Sequence, residues 1–417
     1  VKGRSVFYDT VAYTVFGPVM YDASYRGLGV QRTDGKNYAV RWKAHDPSNE
    51  LKFFNRLNRA RNYDDYYDAL QYLTCPGQNC LFAAKSGTIA IWQQAEFPAK
   101  WKRQGDFVMP GKDSTFLWQG YIPRKENPHM VNPERGFVSS ANQLPADSSY
   151  PYYIGGHHDL YRGKIINRYL SGMTGITIDQ MKSLQTDNYN LLAEMALPVL
   201  LRNLDQSQLD SEQKRLLDIV KGWSLRNDPV EKGVAVFNSW YDSLKSEVWA
   251  DDFTAIAKPW LWPDDYTLIE GLLRDSVYRF VDNLLTPGEE NLQQVVTAAF
   301  KKAAPGLLLA DQENRLSWSQ YKDAGIRHLL RLPVLSRFHL TTGGGTHVIN
   351  ATKKHHGPSW RMIVQLTDET EAYGIYPGGQ SGNPGSPYYD SFIDDWAAGQ
   401  YYSLWVMKPQ EKSDSRI

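Results

Sequence analysis

The chain has 417 residues, more than one hydrophobic core usually organises, and its 46 lysines and arginines balance 46 aspartates and glutamates. A net charge of zero without a long basic run excludes the electrostatic footprint of a nucleic-acid-binding protein. An apolar fraction of 42% is typical of a soluble globular protein, and no stretch approaches the roughly 20 apolar residues that cross a bilayer. The composition therefore predicts two lobes or one large layered domain, without a nucleic-acid partner or a membrane span.

The first residues alternate apolar and polar side chains, as strands do. This pattern predicts strands over 11–16 and 19–21, separated by Gly17-Pro18, and a turn over 33–36 that leads into a strand over 38–42.

The period becomes helical over 51–72, where Asn62 is a suitable N-cap because acidic residues follow it in the first turn. Apolar runs over 81–84 and 88–92 flank a Lys-Ser-Gly turn and predict a hairpin. A long ordered loop follows over 95–135.

Residues 136–140 have the sequence of a buried strand that would end at Ala141-Asn142. Helices dominate from about residue 162 to 300. They are predicted over 178–201, 211–223, 234–250, 265–285 and 289–304, with starts at 210–213 and 286–290.

Strands return over 347–350, 359–366 and 371–376, followed by a Gly/Pro-rich loop over 377–387 and a helix over 389–398. This order predicts an α+β layered fold with a helical lobe. The expected parts are a β-rich portion over 1–160, a helical lobe over 161–310 and a return to the sheets over 311–417.

The two cysteines, Cys75 and Cys80, lie in Cys-Pro-Gly-Gln-Asn-Cys. A Pro-Gly turn can bring them within bonding distance, so a disulfide and two free thiols are both compatible with the sequence. A zinc site would need two more ligands, and no other cysteine or histidine lies nearby. A disulfide would indicate an oxidising compartment.

Five stretches resemble the penicillin acylase family of amide hydrolases. Residues 377–390, with 396–401 after them and 357–362 before them, resemble the C-terminal region of the family's β subunits. Residues 13–19 resemble its strand–Gly-Pro–strand, and 132–142 resemble the approach to its oxyanion-hole asparagine. Phe16 departs from the pattern, since the family often has His-Gly-Pro there. The similarity covers nearly the whole chain and is weakest between about 205 and 330.

The resemblance implies an N-terminal-nucleophile hydrolase with a four-layer αββα core and a helical insertion lobe. Such enzymes cut their own precursor into α and β chains. The first residue of β, usually serine, attacks an amide with its own α-amino group as the base. An acyl-enzyme then releases a carboxylic acid and an amine, from penicillins, acyl-homoserine lactones or other N-acyl amines. A periplasmic or secreted location is expected.

Two side chains carry over from the family as catalytic candidates. Asn142 is the expected oxyanion donor, because its amide offers an N–H without a charge to desolvate. The alternative is a turn asparagine that bonds its own backbone. Arg162 matches the family's site-proximal arginine, although Arg168 is close to it and an ordinary helix-face arginine is the alternative.

Gln380 and Ser381 lie in the Gly-rich loop as scaffold or as part of the site wall.

No nucleophile is expected in this chain. Val1 has no nucleophilic side chain, and Ser5, the nearest hydroxyl, has no free amino group. The resemblance therefore implies a chain that is inactive alone and needs the α subunit and the N-terminal segment of the β subunit as partners. We read the chain as the later part of that β subunit.

A metal is not required by this chemistry. Family members often carry a structural calcium, but Tyr152 and Tyr153 stand where an acidic ligand is expected, flanked by Asp147 and Asp159. Two histidine pairs, at 157–158 and 355–356, have no carboxylate partner at ligand spacing and are expected in exposed loops.

Two other functions compete with the hydrolase. The first is a noncatalytic secreted binding or structural relative that kept the fold. The second is a polysaccharide-binding protein that uses the loops rich in tryptophan and tyrosine.

Overall fold

The computed structural model describes residues 2–6, 8–22, 25, 35–156, 158–252, 262–274, 278–408 and 411. Val1, His157 and the first half of the turn expected over 33–36 lie outside these residues. The chain divides into two compact units, residues 1–158 and 159–417. The three-part division at 160 and 310 stays a prediction.

The first unit opens with a small antiparallel sheet of three strands, β1 (Tyr13–Thr14), β2 (Gly17–Tyr21) and β3 (Tyr38–Ala39). Gly17, the first residue of β2, has a φ of +98°, and a side chain there would collide with the Val40 carbonyl. A glycine is therefore required at this break.

The helical period over 51–72 corresponds to two helices, α1 (Glu50–Leu57) and α2 (Tyr63–Leu70). Asn62 caps α2 as expected, since its side-chain oxygen accepts a hydrogen bond from the Asp65 amide at 2.8 Å. The helices share a small apolar core with the neighbouring sheet, formed by Phe53, Tyr66, Ala69, Leu70, Leu73 and Trp92.

The expected hairpin is confirmed as β4 (Gln78–Ala83) paired with β5 (Ile89–Gln94), and β6 (His129–Val131) extends the sheet in the order β4-β5-β6. Cys80 lies within β4, and Cys75 precedes it. Both cysteines are free thiols in the structure, which corresponds to the second of the two alternatives.

The strand predicted over 136–140 is wrong, because these residues are irregular and half-buried. Gly136 closes a turn by donating its amide to the Pro133 carbonyl at 2.9 Å. The Arg135 guanidinium then donates to the Phe137 carbonyl at 3.0 Å. The Arg135 side chain thus occupies the Phe137 carbonyl, which in a sheet would accept a hydrogen bond from the neighbouring strand.

The second unit is mainly helical. Its helices are α3 (Tyr161–Ser171), α4 (Ile178–Gln185), α5 (Leu191–Arg202), α6 (Ser211–Lys221), α7 (Gly233–Trp249), α8 (Asp265–Arg274), α9 (Leu292–Gln312) and α10 (Trp318–Lys322). Within the described residues, none of the helices has both the length and the apolarity to span a bilayer.

The core of the second unit centres on α7 and α9. Trp240 of α7 is fully buried, packs edge-on against Phe300 at 4.8 Å and donates its indole N–H to the Val296 carbonyl at 3.0 Å. An indole that is both buried and hydrogen-bonded contributes a large apolar area without leaving a polar atom unpaired. This contact fixes the two longest helices against each other.

Several predicted helix limits need correction. The start at Asp210 is confirmed by a capping box with Gln213. The start near 286–290 is wrong, because the Thr286 hydroxyl is used in a turn that bonds Glu290 at 2.6 Å, and Asn291 caps α9 instead. The helix predicted over 178–201 is two helices, α4 and α5, and Pro198 lies inside α5, where burial of its neighbours offsets the missing hydrogen bond.

Strands return in two small sheets that end the unit. They are β7 (Ala324–Ile326) with β8 (Arg337–Leu340), and β9 (Arg361–Gln365), β10 (Glu371–Ile375) and β11 (Tyr402–Leu404) in the order β11-β10-β9, with α11 (Ile393–Ala397) before β11.

The strand predicted over 347–350 is wrong, since these residues form a bend. Asn350 explains why, because its amide nitrogen donates to the Asn188 side chain and its oxygen accepts from Arg361, both at 3.0 Å. Its backbone N–H donates to the Asp187 carbonyl at 2.9 Å. Gly344 packs so closely on the Asn350 carbonyl that a side chain there would collide.

Lys322 is a buried cation beside this network. Its side-chain amine donates to the carbonyls of Gly343 and Thr352 and lies 5.6 Å from the centre of the Trp318 ring. Burial lowers the pKa of Lys322 from 10.5 to about 7. The folded chain therefore releases this proton near neutral pH.

We expect Lys322 to make stability depend on pH. Between pH 7 and 10 the unfolded chain keeps a proton that the folded chain loses, so stability should rise with pH by about 1 kcal/mol per unit. Lys322→Met should remove this slope in unfolding curves recorded from pH 6 to 9. The exposed neighbour variant Lys353→Met should keep it. Parallel slopes in wild type and Lys322→Met would show that Lys322 stays charged.

Candidate functional site

Asn142 lies in the first unit, at the end of an irregular segment that follows β6. Its φ is +65°, a left-handed conformation that asparagine tolerates better than most residues with a side chain. Asn142 is exposed, whereas Ala141 before it is buried. The backbone thus turns outward at the residue that the family resemblance singles out.

The segment that leads to Asn142 is fixed to the edge of β5. Asn132 exchanges two hydrogen bonds with Ile89, one through its side-chain oxygen and one through its backbone N–H, each at 2.9 Å. Past Asn142, Tyr150 donates its hydroxyl to the Glu126 carbonyl at 2.9 Å. The irregular segment is therefore held on both sides by defined hydrogen bonds.

Arg162 lies in the second unit, in the first turn of α3. Asp159 accepts a hydrogen bond from its guanidinium Nε at 2.9 Å. The other oxygen of Asp159 accepts from the backbone N–H groups of Tyr161 and Arg162 at 3.0 and 3.4 Å. The Asp159 carboxylate thus accepts the first amides of the helix and also orients the arginine. The positive end of the helix dipole favours this negative charge.

Tyr161, in the first turn of α3, packs on a half-buried group of charged side chains. The Tyr161 ring contacts His347 edge-on at 4.7 Å, and the His347 Nε2 lies 2.7 Å from Asp265, which also pairs with Lys245 at 3.0 Å. Burial alone would raise the pKa of Asp265, but the His347 hydrogen bond and the Lys245 charge hold it below its ordinary value. Asp265 is therefore ionised and anchors this end of the helix.

Arg168, the other arginine of α3, has a different environment. It forms a bidentate pair with Glu194 of α5 at 2.8 and 2.9 Å on a half-exposed surface. Its geometry joins two helices. The two arginines therefore differ in their partners, since Arg162 pairs with Asp159 and Arg168 pairs with Glu194.

Asn142 and Arg162 belong to different compact units. Each therefore has its own local support, and their assignment as catalytic residues stays a prediction.

The Gly-rich loop has the contacts of a scaffold. Ser381 donates its amide to the Tyr388 carbonyl at 3.1 Å, and its hydroxyl accepts from the Asn383 amide at 3.1 Å. Gly379 packs directly on the backbone of Tyr388, with the Tyr376 hydroxyl donating to its carbonyl at 3.1 Å. Gln380 is exposed.

The residues expected near a calcium do not fit that ion. Tyr152 donates its hydroxyl to Glu126, and Tyr153 donates to both oxygens of Asp106 at 2.8 and 2.9 Å. These carboxylates therefore receive neutral O–H donors where a calcium site would offer them to the ion. Within the described residues, no three carboxylate, histidine or cysteine side chains are grouped to hold a metal.

The sequence motifs do not single out two residues that support the candidates. Asp159 flanks the position of an expected calcium ligand, and Gln143 directly follows Asn142. An Asp two or three residues before a helical arginine is a recognisable signal for capping. The contacts of Gln143 depend on the turn around Asn142, and the sequence predicts a strand there instead of a turn.

Comparison with known proteins agrees with the motifs. The penicillin amidase family profile matches residues 1–413. The acyl-homoserine lactone acylase QuiP of Pseudomonas fluorescens is 24% identical, over 98% of this chain and 53% of its own length. The penicillin acylase 2 proenzyme of a Pseudomonas species is 23% identical over 45% of this chain and 24% of its own length. The chain thus spans about half the length of the relatives that match it from end to end.

The fold is also shared with a solved structure. Thermostable penicillin G acylase from Alcaligenes faecalis superposes with a TM-score of 0.63 at 16% identity, over 100% of this chain and 78% of that one. The expected α+β fold of N-terminal-nucleophile hydrolases is thereby confirmed. The family profile and the shared fold together establish that this chain belongs to the penicillin amidase family.

Proposed function

We propose that this chain is a component of an amide hydrolase that converts N-acyl amides to a carboxylic acid and an amine through an acyl-enzyme. The observation that carries the proposal is the left-handed turn at the exposed residue Asn142. An amide N–H in such a position can donate to the oxygen that becomes negative when an acyl carbon is attacked.

Acyl-homoserine lactones are the proposed first substrate class. In sequence, the acylases named for them match 97–98% of this chain, whereas the penicillin acylase 2 proenzyme matches 45% of it. Penicillins and other N-acyl amines form the second set to be tested.

The attacking residue is proposed to come from a part of the protein outside these 417 residues. A serine, threonine or cysteine with a free α-amino group would be activated by its own amine. Within this chain, Asn142 stabilises the tetrahedral intermediate, and Arg162 organises the surroundings of the nucleophile with fixed donors.

Partner polypeptides are proposed to cover apolar surface on this chain. On one side of β9, Trp360, Met362, Val364 and Leu366 are 46, 49, 42 and 37% exposed, while Ile363 between them is buried. β9 is also an edge strand of its sheet. An apolar row on a sheet edge is a surface that proteins usually cover. The proposed partners are an α subunit and the N-terminal segment of a β subunit.

Processing and location follow the same proposal. One relative is named a proenzyme, which supports production of this protein as a precursor, and self-cleavage of that precursor is proposed on the family resemblance alone. A periplasmic or secreted location is proposed on the family resemblance alone, and fractionation of cells that express the complete protein tests it.

The test uses the complete protein and N-acyl-homoserine lactones of several chain lengths, with penicillin G as a second substrate. Mass spectrometry is expected to detect the free fatty acid with homoserine lactone. The mature polypeptide that contains these residues is expected to begin with serine, threonine or cysteine. A folded complete protein that hydrolyses neither substrate class would favour the noncatalytic binding relative.

Asn142→Ala should lower kcat by about 10²–10³-fold, because one oxyanion donor is lost. Asn142→Gly should cause the same loss, since glycine keeps the left-handed backbone but has no amide. Asn314→Ala is the matched control, because Asn314 is also exposed and left-handed, with a φ of +56°. Turnover by Asn142→Ala equal to wild type would remove Asn142 from the mechanism.

Arg162→Ala should lower kcat/KM by about tenfold or more, because misplaced groups near a nucleophile are costly. Asp159→Ala should act in the same direction by releasing the Arg162 guanidinium. Arg168→Ala, which breaks only the pair with Glu194, should stay within about twofold of wild type. If Arg168→Ala and Arg162→Ala lost equal activity, the assignment to Arg162 would be wrong. Steady-state kinetics on the substrate found above supply the measurement.

A further inference from the structure

The turn around Asn142 is closed by the side chain that follows it. Gln143 accepts a hydrogen bond from the Ala141 backbone N–H through its Oε1 at 2.5 Å. The same amide donates through its Nε2 to the Ser139 carbonyl at 3.0 Å. Because one partner is a donor and the other an acceptor, both ends of the amide have a fixed identity.

These two bonds span the backbone on the N-terminal side of Asn142. Ala141 is buried and its N–H has no strand partner, so Gln143 satisfies a group that would otherwise be costly to bury. Residues 136–140 have no ladder of their own to hold them. The Gln143 amide therefore helps to set the direction in which Asn142 leaves the backbone.

The left-handed conformation adds to this requirement. A non-glycine residue at φ +65° is less stable than in the ordinary regions and persists where its surroundings determine it. Without the Gln143 bonds, Ser139 to Asn142 can relax into other conformations, and the Asn142 amide would lose its direction. An oxyanion donor is effective only when it is oriented before the charge develops.

We propose that Gln143 is a positioning residue for the oxyanion donor, acting through the Asn142 backbone. The inference rests on the proposed hydrolase function and deepens it. Gln143 holds the Asn142 side-chain amide in the direction of the developing oxyanion, and it does so without contacting the substrate. Its loss therefore weakens binding of the transition state while binding of the substrate is kept.

The main variant is Gln143→Met, which keeps the length of the side chain and removes both hydrogen bonds. In the complete protein, kcat should fall by about 10–100-fold with KM within about threefold of wild type. Gln143→Glu, which can still accept from Ala141 but cannot donate to Ser139, should fall between wild type and Gln143→Met. The control is Gln119→Met, which removes an exposed loop amide that donates to the Leu117 carbonyl at 3.0 Å.

A double-mutant cycle separates positioning from general damage. Gln143→Met added to Asn142→Ala should cause almost no further loss of kcat, because the donor that it orients is already absent. Losses that simply multiply would overturn the proposal, as would a Gln143→Met enzyme with wild-type kcat. A KM that rises as much as kcat falls would also contradict it.

Hydrogen exchange tests the same idea independently of activity. In Gln143→Met, the peptide that contains the Ala141 amide should exchange at least tenfold faster, while peptides from α7 and α9 exchange as in wild type. Unchanged exchange at Ala141 would overturn the proposed positioning role of Gln143. If wild-type protein hydrolysed no N-acyl amide but exchange rose as expected, the proposed function would fail and Gln143 would be a structural residue only.

Discussion

The second unit depends on how it buries the charge of Arg361. This guanidinium lies on β9, is 4% exposed, and donates to the Trp396 carbonyl at 2.7 Å and to the Asn350 side chain at 3.0 Å. Burial lowers its pKa, and these acceptors offset the cost of removing it from water. A charge placed there obliges helix, bend and strand to keep their relative positions, because any shift would leave it unpaired. The close packing of Gly344 on the Asn350 carbonyl belongs to the same tightly packed region.

Local signals made much of the fold predictable. Asn62 and Asp210 begin helices through side-chain oxygens only three residues from the amides they bind, so the sequence alone contains both partners. The hairpin of β4 and β5 is likewise a short-range structure. The failures at 136–140 and 347–350 have the opposite cause. Arg135 and Asn350 place side-chain bonds where strand pairing was expected, and the partners of Asn350 lie up to 162 residues away.

The candidate residues show the same difference between what local sequence predicts and what only the folded chain determines. Asn142 and Arg162 could be found because motifs around them resemble a known family. Their orientation could not be found from the motifs, because it depends on Gln143 and Asp159, whose contacts exist only once the turn and the helix have formed. Both supporting residues lie within three positions of the residue they hold. The local support of each candidate residue is thus encoded close to it in the sequence.

The short sequence separation between Gln143 and its partners affects which substitutions the turn tolerates. The bridge made by Gln143 closes over the five residues from Ser139 to Gln143, so forming it orders little chain. Both of its hydrogen bonds lie within this segment, so the bridge does not depend on contacts with distant parts of the chain. Substitutions elsewhere in the chain can therefore leave the bridge from Ser139 to Gln143 intact, whereas a residue at 143 that cannot both donate and accept opens it.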